Sequence, residues 1–486
     1  MKIQTTLPFL ICWTIVFTVC TACSSNNSKV MVYITTNNRS LDFAKDSVSF
    51  DKNIDTSSFV IALDTAIRYQ SIDGFGAAVT GSTAYNLMQM KPEDRTKFLK
   101  ETFSDTEGMG QSYIRISIGC SDFSLSEYTC CDTPGIENFA LQSEEKDYVI
   151  PILQEILAIN PNLKIMGSPW TCPRWMKVRD LKTLKPYNSW TSGQLNPNYY
   201  QDYATYFVKW IQSMAAEGIN IYSVTPQNEP LNRKNSASLF MGWEEQLVFV
   251  RDALGPKFKE AGLNTKIYAF DHNYNYDNMT DQEDYPIKIY EDETAASFLA
   301  GAAYHNYGGN REELNDINDK HADKELVFTE TSIGTWNRGR KLERRLTEDM
   351  REVALGTVNN WCKGVIVWNL MLDSDLGPNR EDGCRSCYGA VDIDNSDYKT
   401  IVRNSHYYII GHLSAVVKPG AVRIGTTDNT AGGITYSAFV NGDGSYALVL
   451  LNETDEEKKI TVSDKTRSFS YNVPAKAVTS YHWNKK

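Results

Sequence analysis

Between residues 72 and 369 the chain carries eight short runs of apolar, β-branched and aromatic residues, at 72–75, 113–118, 163–167, 222–227, 266–270, 302–306, 326–330 and 364–369. Most are separated by segments long enough for a helix, and strands joined by such crossovers lie parallel in one sheet. The helical period is clearest after residue 200, where Tyr203, Phe207, Trp210, Ile211 and Met214 recur at three and four and Gly218 stops the run. Residues 340–361 behave similarly with more surface charge. Eight such units are the number that closes a (β/α)8 barrel. The expected fold class is therefore α/β, with a TIM barrel at its centre.

The flanks read differently. Val30, Val32 and Ile34 alternate with other residues near the start, and after about residue 408 Ile434, Tyr436, Ala438 and Val440 alternate up to Asn441-Gly442-Asp443-Gly444, a hairpin signal. Strands from both ends are expected to join in one accompanying β-sandwich. Ahead of them a lone Lys2 precedes an apolar run over 7–19, too short to span a bilayer, and Thr21-Ala22 before Cys23 resembles a bacterial lipobox. Cys20 stands where that motif prefers Leu or Val. The expected division is a signal peptide over 1–22, a tether and N-terminal strands over 23–70, the barrel over 71–408 and C-terminal sandwich strands over 409–486. Export follows, with lipid on Cys23 anchoring the protein to the outer membrane and simple secretion as the alternative.

A net charge of -11 argues against nucleic acid, and the short basic cluster over 338–345 reads as a solvated helix face. A neutral ligand is expected, with the membrane engaged only through the lipid. Beyond Cys23 there are Cys120, Cys130, Cys131, Cys172, Cys362, Cys384 and Cys387. Zinc at Cys384-Arg385-Ser386-Cys387 needs a second ligand pair, which the sequence lacks, so a disulfide or two thiols is expected there.

In a barrel of this kind, reacting side chains project from the C-terminal ends of the strands. Val224-Thr225-Pro226-Gln227-Asn228-Glu229 ends the fourth run and Val327-Phe328-Thr329-Glu330 the seventh, so both carboxylates reach the mouth. Two carboxyls about 5 to 5.5 Å apart hydrolyse a glycosidic bond with retention, one as nucleophile and one as acid/base. The acid/base must hold a proton, which desolvation favours, while the nucleophile stays ionised. Asn228 is suited to grip the 2-hydroxyl of the sugar. Glu229 is therefore read as acid/base and Glu330 as nucleophile.

The chain resembles glycoside hydrolase family 30, the family of glucosylceramidases and β-1,6-glucanases. The resemblance rests on Gly74-Phe75-Gly76-Ala77-Ala78-Val79-Thr80, Ile114-Arg115, Ser121-Asp122-Phe123-Ser124, Gly167-Ser168-Pro169-Trp170-Thr171-Cys172-Pro173-Arg174-Trp175-Met176-Lys177, Gln227-Asn228-Glu229-Pro230, Tyr304-His305-Asn306-Tyr307, Glu330 and Val367-Trp368-Asn369-Leu370. It implies a barrel with a β-sandwich, a retaining double displacement and no metal or organic cofactor. It places Arg115 beneath the nucleophile, Trp170 and Trp368 as sugar platforms, and His305 and Tyr307 against the nucleophile or the sugar. Where glucosylceramidases carry an Asp after the strand-one Thr, this chain has Gly81, expected to open space for a continuing glucan. Gly383 to Cys387 resembles the bacterial β-1,6-glucanase branch. The expected activity is endo-hydrolysis of β-1,6-glucan, with a glucosylceramidase or exo-acting β-glucosidase as alternative, and a non-catalytic glycan-binding lipoprotein as a remote one.

Overall fold

The computed structural model describes residues 29–51, 58–274, 279–380, 382–427 and 430–486; the leader and Cys23 lie outside them. All eight predicted runs are strands: Gly74–Ala77, Tyr113–Ser117, Lys164–Ser168, Ser223–Val224, Lys266–Asn273, Gly301–His305, Glu325–Glu330 and Cys362–Val367. They pair in parallel around a ring from the first strand through the eighth, seventh and so on to the second. Two backbone bonds of 2.9 Å, from Ser112 to Phe75 and from Val79 to Arg115, link the first strand to the second and close the ring.

Two strands depart from their expected lengths by more than one residue, each for a local reason. The fourth leaves the ladder after Val224, because Pro226 has no N–H to donate. The chain beyond it is held by single bonds instead: Thr225 to Gly167 O at 3.1 Å, Asn228 to Pro169 O at 2.8 Å and Glu229 to Asp271 O at 2.9 Å. The fifth runs on to Asn273 through a bulge, with Phe270 and Asp271 both at positive φ, 71° and 70°, and a shift of register against the sixth strand.

The barrel's lower interior is filled by Tyr113, Met166, Tyr268, Ala303, Val327 and Ile366, which exclude water beneath the mouth. Tyr113 is tied to Ser223 by an Oη to Oγ bond of 2.8 Å. Outside the ring, the helix Tyr200–Ala216 buries the predicted stripe of Tyr203, Phe207, Trp210, Ile211 and Met214. The basic cluster over 338–345 is not simply a solvated face: Arg345 is buried and paired with Asp349.

Strands from both chain ends form one sandwich. The first described strand, Lys29–Thr36, lies between Ala44–Ser49 and the last, Ala477–Trp483. The long strand Phe59–Ser71 pairs antiparallel with Val422–Thr426 and parallel with Lys458–Ser463, so it joins the two halves of the sheet. The expected junction near 408 falls inside the helix Ser405–Ser414, whose residues are all buried because it packs on both parts. Tyr407 meets Thr102 of the barrel at 3.1 Å, while the His412 ring bonds Ser480 at 2.8 Å and Thr35 at 2.9 Å in the sandwich.

Burial pushes the His412 pKa down to about 3, so the folded state holds this ring neutral. The unfolded chain binds the proton more readily, near the ordinary value of about 6.5. Stability from this group is therefore complete above that pH and lost as pH falls below it. His412→Ala is expected to cost about 1–3 kcal/mol at pH 7.5 by removing two buried hydrogen bonds. Urea unfolding at pH 7.5 and pH 5 will show a smaller pH difference in the variant than in the native protein.

Candidate active site

At the top of the plug Arg115 projects from the second strand with no solvent exposure. A buried guanidinium requires anionic partners. It donates to Glu330 Oε2 at 2.5 Å, to Asp271 Oδ2 at 2.7 Å and to Asn228 Oδ1 at 2.7 Å. Its cation also lies over the rings of Trp170 and Trp368, at 5.0 and 5.4 Å from their centroids. One side chain thus sets the position of four of the residues singled out in the sequence.

Asp271, presented by the bulge of the fifth strand, is the second centre of the network. Besides Arg115 it accepts from Ser168 Oγ at 2.8 Å, from Thr225 Oγ1 and Thr329 Oγ1 at 2.7 Å each, and from His305 Nε2 at 3.0 Å. Burial works against its charge, but Arg115 and His305 hold its carboxyl well below the usual carboxylate range. The sequence reading missed this residue because it ended the strand at Phe270, one position before it.

The other His305 nitrogen, Nδ1, stands 3.5 Å from Glu229 Oε1, an ion-pair contact rather than a formed hydrogen bond. Glu229 Oε2 accepts from Asn232 Nδ2 at 2.7 Å and Asn235 Nδ2 at 2.5 Å. Burial raises the Glu229 pKa, but His305, the nearby His272 and Asn232 more than offset it and hold it at about 2. Burial likewise opposes charge on His305, yet the Glu330 charge and the contacts with Asp271 and Glu229 push it up to about 9. The proton that desolvation was expected to leave on Glu229 therefore resides on His305.

Glu330 takes Arg115 on one oxygen and the Tyr307 hydroxyl, at 3.1 Å, on the other. Burial pushes its pKa above the ordinary value, while His305 and Arg115 pull it back. An oxygen of Glu229, an oxygen of Glu330 and a nitrogen of His305 all lie within 4.8 Å of one another. That separation suits direct attack on a sugar and leaves no room for the intervening water of an inverting site. Glu229 sits at φ 44°, a strained backbone for a non-glycine residue, which the bonds at Asn228 and Glu229 enforce.

Residues 72–417 match the glycosyl hydrolase family 30 TIM-barrel domain, and residues 420–481 match the β-sandwich domain of the same family. The protein belongs to glycosyl hydrolase family 30. Among its family 30 relatives is the endo-1,6-β-D-glucanase BGN16.3 of Trichoderma harzianum, 32% identical over 441 residues that cover 86% of this chain and 85% of the relative. The lysosomal acid glucosylceramidase of Mus musculus is 27% identical over 459 residues, covering 88% and 84%. The solved structure of the endo-β-1,6-glucanase BT3312 is 69% identical with a TM-score of 0.93, covering 94% of this chain and 100% of that one.

Several site residues of this family 30 hydrolase sit differently from expectation. Trp170 and Trp368 are only 2% and 1% exposed and stack on each other at 5.0 Å and 24°. Each packs against the other and against Arg115, which leaves little of either ring exposed. What Trp368 offers is its indole N–H, which has no acceptor among the described residues. Gly81 opens no space either. It begins the helix Gly81–Gln89, and a Cβ there would collide with the Glu144 carboxylate, which already fills that volume.

Two further groups escaped the sequence reading. Asp122 follows the second strand; burial, then the charges of Glu330 and Glu229, push its pKa up to about 8, and its Oδ1 has no partner. It stands within Ser121-Asp122-Phe123-Ser124, where a carboxylate in the loop after a barrel strand was the available signal. Arg380, in the loop after the eighth strand, donates to Ser121 O, Glu127 and Ser236 and keeps Nη2 unpaired, and no local pattern marks it. Nearby Cys384 and Cys387 form a disulfide, whereas Cys120, Cys130, Cys131, Cys172 and Cys362 are free and buried.

Asp271→Asn removes an anion that raises the His305 pKa, so the site proton is lost at lower pH. The alkaline limb of kcat/KM on an aryl β-glucoside is expected to move toward neutrality, with a loss of roughly 100-fold or more of the kind general acid–base contributions produce. A pH–rate profile of the variant checks both.

Proposed function

We propose that this family 30 hydrolase cleaves β-1,6-linked glucan within the chain, by a retaining double displacement. The observation that carries the reading is the Glu229 and Glu330 pair, held within 4.8 Å in a chain 69% identical to an endo-β-1,6-glucanase. Glucosylceramidases stand further off, at 27–30% identity.

Glu330 Oε2 is bound to Arg115, so Oε1, held only by the Tyr307 hydroxyl, is the attacking oxygen. It bonds the anomeric carbon as the bond to the leaving oxygen breaks. Formation of the ester removes the Glu330 charge, which is the main support for the proton on His305. The proton then passes over 3.5 Å to Glu229 and on to the leaving oxygen. Water replaces the leaving sugar, gives a proton to Glu229 and attacks the anomeric carbon from the face opposite the ester; the bond to Glu330 breaks, its charge returns and draws the proton back to His305, so configuration is retained. Asn228 fixes its side-chain oxygen on Arg115 and turns its amide N–H groups toward the sugar 2-hydroxyl.

Glu229→Ala is expected to lose about 100- to 10,000-fold on β-1,6-glucan, with azide restoring product of retained configuration. Glu330→Gly is expected to be inactive until azide returns product of inverted configuration, read by NMR. Oligosaccharides of several lengths released early from β-1,6-glucan support endo action, whereas glucose alone, or hydrolysis of glucosylceramide in place of glucan, removes it.

We further propose that the protein is exported and anchored to the outer membrane through lipid on Cys23, a reading carried by the leader sequence and by Thr21-Ala22-Cys23. Among the described residues no helix is long and apolar enough to cross a membrane. In the native host, Cys23→Ser is expected to abolish metabolic labelling with palmitate and to release the protein from the membrane fraction.

A further inference from the structure

The register of the sandwich shows how it stands beside the barrel. The long strand Phe59–Ser71 ends just before Gly74, where the first barrel strand begins at the floor, the end away from the reacting pair. From Ser71 a row of cross-strand partners runs through Val422, Val440 and Tyr446 to Trp483, next to His482, which lies opposite Met31. Side-chain bonds fix the same level. At the floor, ahead of the strand Val422–Thr426, the Lys418 N–H donates to Asn441 Oδ1 at 2.9 Å, and Ser445 of the same hairpin bonds the His482 ring at 3.0 Å. The strand Lys29–Thr36 therefore begins at the level of the floor. At its other end Asn37 donates to Glu343 O at 2.9 Å, at the start of the helix Leu342–Asp349 that descends from the mouth.

The floor end of the sandwich carries an exposed basic cluster. Lys29 is exposed there, and the register that sets Met31 against His482 brings Asn484 to its side, followed by Lys485 and Lys486, both exposed. The acidic side chains nearby are turned onto their own loops. Asp443 accepts from the Ser445 N–H at 2.9 Å and hydroxyl at 2.6 Å, and Asp464 from the Arg467 N–H at 2.8 Å and the Trp483 indole at 3.1 Å. Beside these lysines Met31 is 41% exposed. Lysines around an apolar side chain suit the boundary between lipid headgroups and acyl chains. The chain as a whole carries -11, so an anionic surface attracts this end and repels the rest.

The tether decides which way the molecule stands. Residues 24–28 separate Cys23 from Lys29, and a chain reaches at most about 3.6 Å per residue, so lipid on Cys23 holds Lys29 within roughly 20 Å of the bilayer. The strand from Lys29 to Thr36 rises about 23 Å at ~3.3 Å per residue, and the mouth loops stand beyond the helix start that Asn37 reaches. A molecule standing mouth-down would set Lys29 further from the surface than the tether allows. We propose that the floor-level end of the sandwich, Lys29 and Met31 with Lys485 and Lys486, lies on an anionic lipid surface, and that the barrel mouth faces away from it. This rests on the reading of Cys23 as a lipid anchor and adds which face of the enzyme meets the membrane. A glucan too large to approach the bilayer then reaches Glu229 and Glu330 from the medium.

The test places the lipidated enzyme in vesicles of phosphatidylcholine and phosphatidylglycerol in equal parts, with a nitroxide quencher on the headgroups. A fluorophore is introduced through an unnatural amino acid either at exposed Asn162, in the loop into the third strand, or at exposed Thr335, after the seventh. Quenching at Asn162 is expected to exceed that at Thr335 roughly threefold or more, because the two differ in height by at least the ~17 Å of a barrel strand. Equal quenching, or stronger quenching at Thr335, overturns the proposal. Lys29→Glu, Lys485→Glu and Lys486→Glu together are expected to lower the excess on these vesicles and to leave it unchanged on phosphatidylcholine alone. An excess that this charge reversal does not alter on the anionic vesicles overturns the assignment of the lysines to the lipid contact. Should Cys23→Ser leave the protein in the membrane fraction of the host, the anchor reading fails by itself. The face is then judged with Cys23 coupled to a maleimide lipid, the free thiols of the described residues all being buried, and the same comparison of Asn162 with Thr335 decides it.

Discussion

A single buried cation holds the mouth of the barrel together. Arg115 has no solvent contact, and its guanidinium is shared among Glu330, Asp271 and Asn228 beneath a pair of stacked indoles. Removing one partner of such a buried pair typically costs about 3–5 kcal/mol, because the remaining charge has nowhere to go. The same interaction fixes the geometry of the chemistry. Glu330 has one oxygen on the cation and the other held only by the Tyr307 hydroxyl, Asn228 has its oxygen occupied and its amide hydrogens available, and Trp170 and Trp368 are clamped rather than offered to solvent.

The charges above Arg115 define how many protons the site can hold. Asp271, Glu229 and Glu330 are three anions in a space that Arg115 alone cannot neutralise, and His305 lies between two of them. The imidazole is therefore the place where a proton is most strongly retained in the free enzyme. Covalent capture of Glu330 cancels one of the three negative charges, so the same event that forms the glycosyl ester loosens the proton required by the departing oxygen.

The barrel was legible because its signal is periodic: eight apolar runs, a stripe such as Tyr203 to Met214, and Glu229 and Glu330 at strand ends are all written in the order of residues. What was not legible depends on backbone that breaks the period. The bulge at Phe270 and Asp271 turns a carboxylate into the core where a regular strand would have carried it elsewhere, and Pro226 ends a ladder that its neighbours would have continued. Packing hid the rest. Nothing local distinguishes a tryptophan that faces a sugar from one that faces another tryptophan, and Gly81 looks like empty space until Glu144, far along the chain, is seen to fill it.

The sandwich has a consequence for the order in which the protein can be made. The strand Lys29–Thr36 has only two partners, its own hairpin neighbour Ala44–Ser49 and the final strand Ala477–Trp483. Closing a contact between opposite ends of a chain carries the largest loop entropy, and pairings of that range form late. Until the last strand emerges the first has no stable place to dock, and the Thr35 hydroxyl that His412 bonds is not yet held. Docking of Lys29–Thr36 against the rest of the sheet therefore waits on Ala477–Trp483.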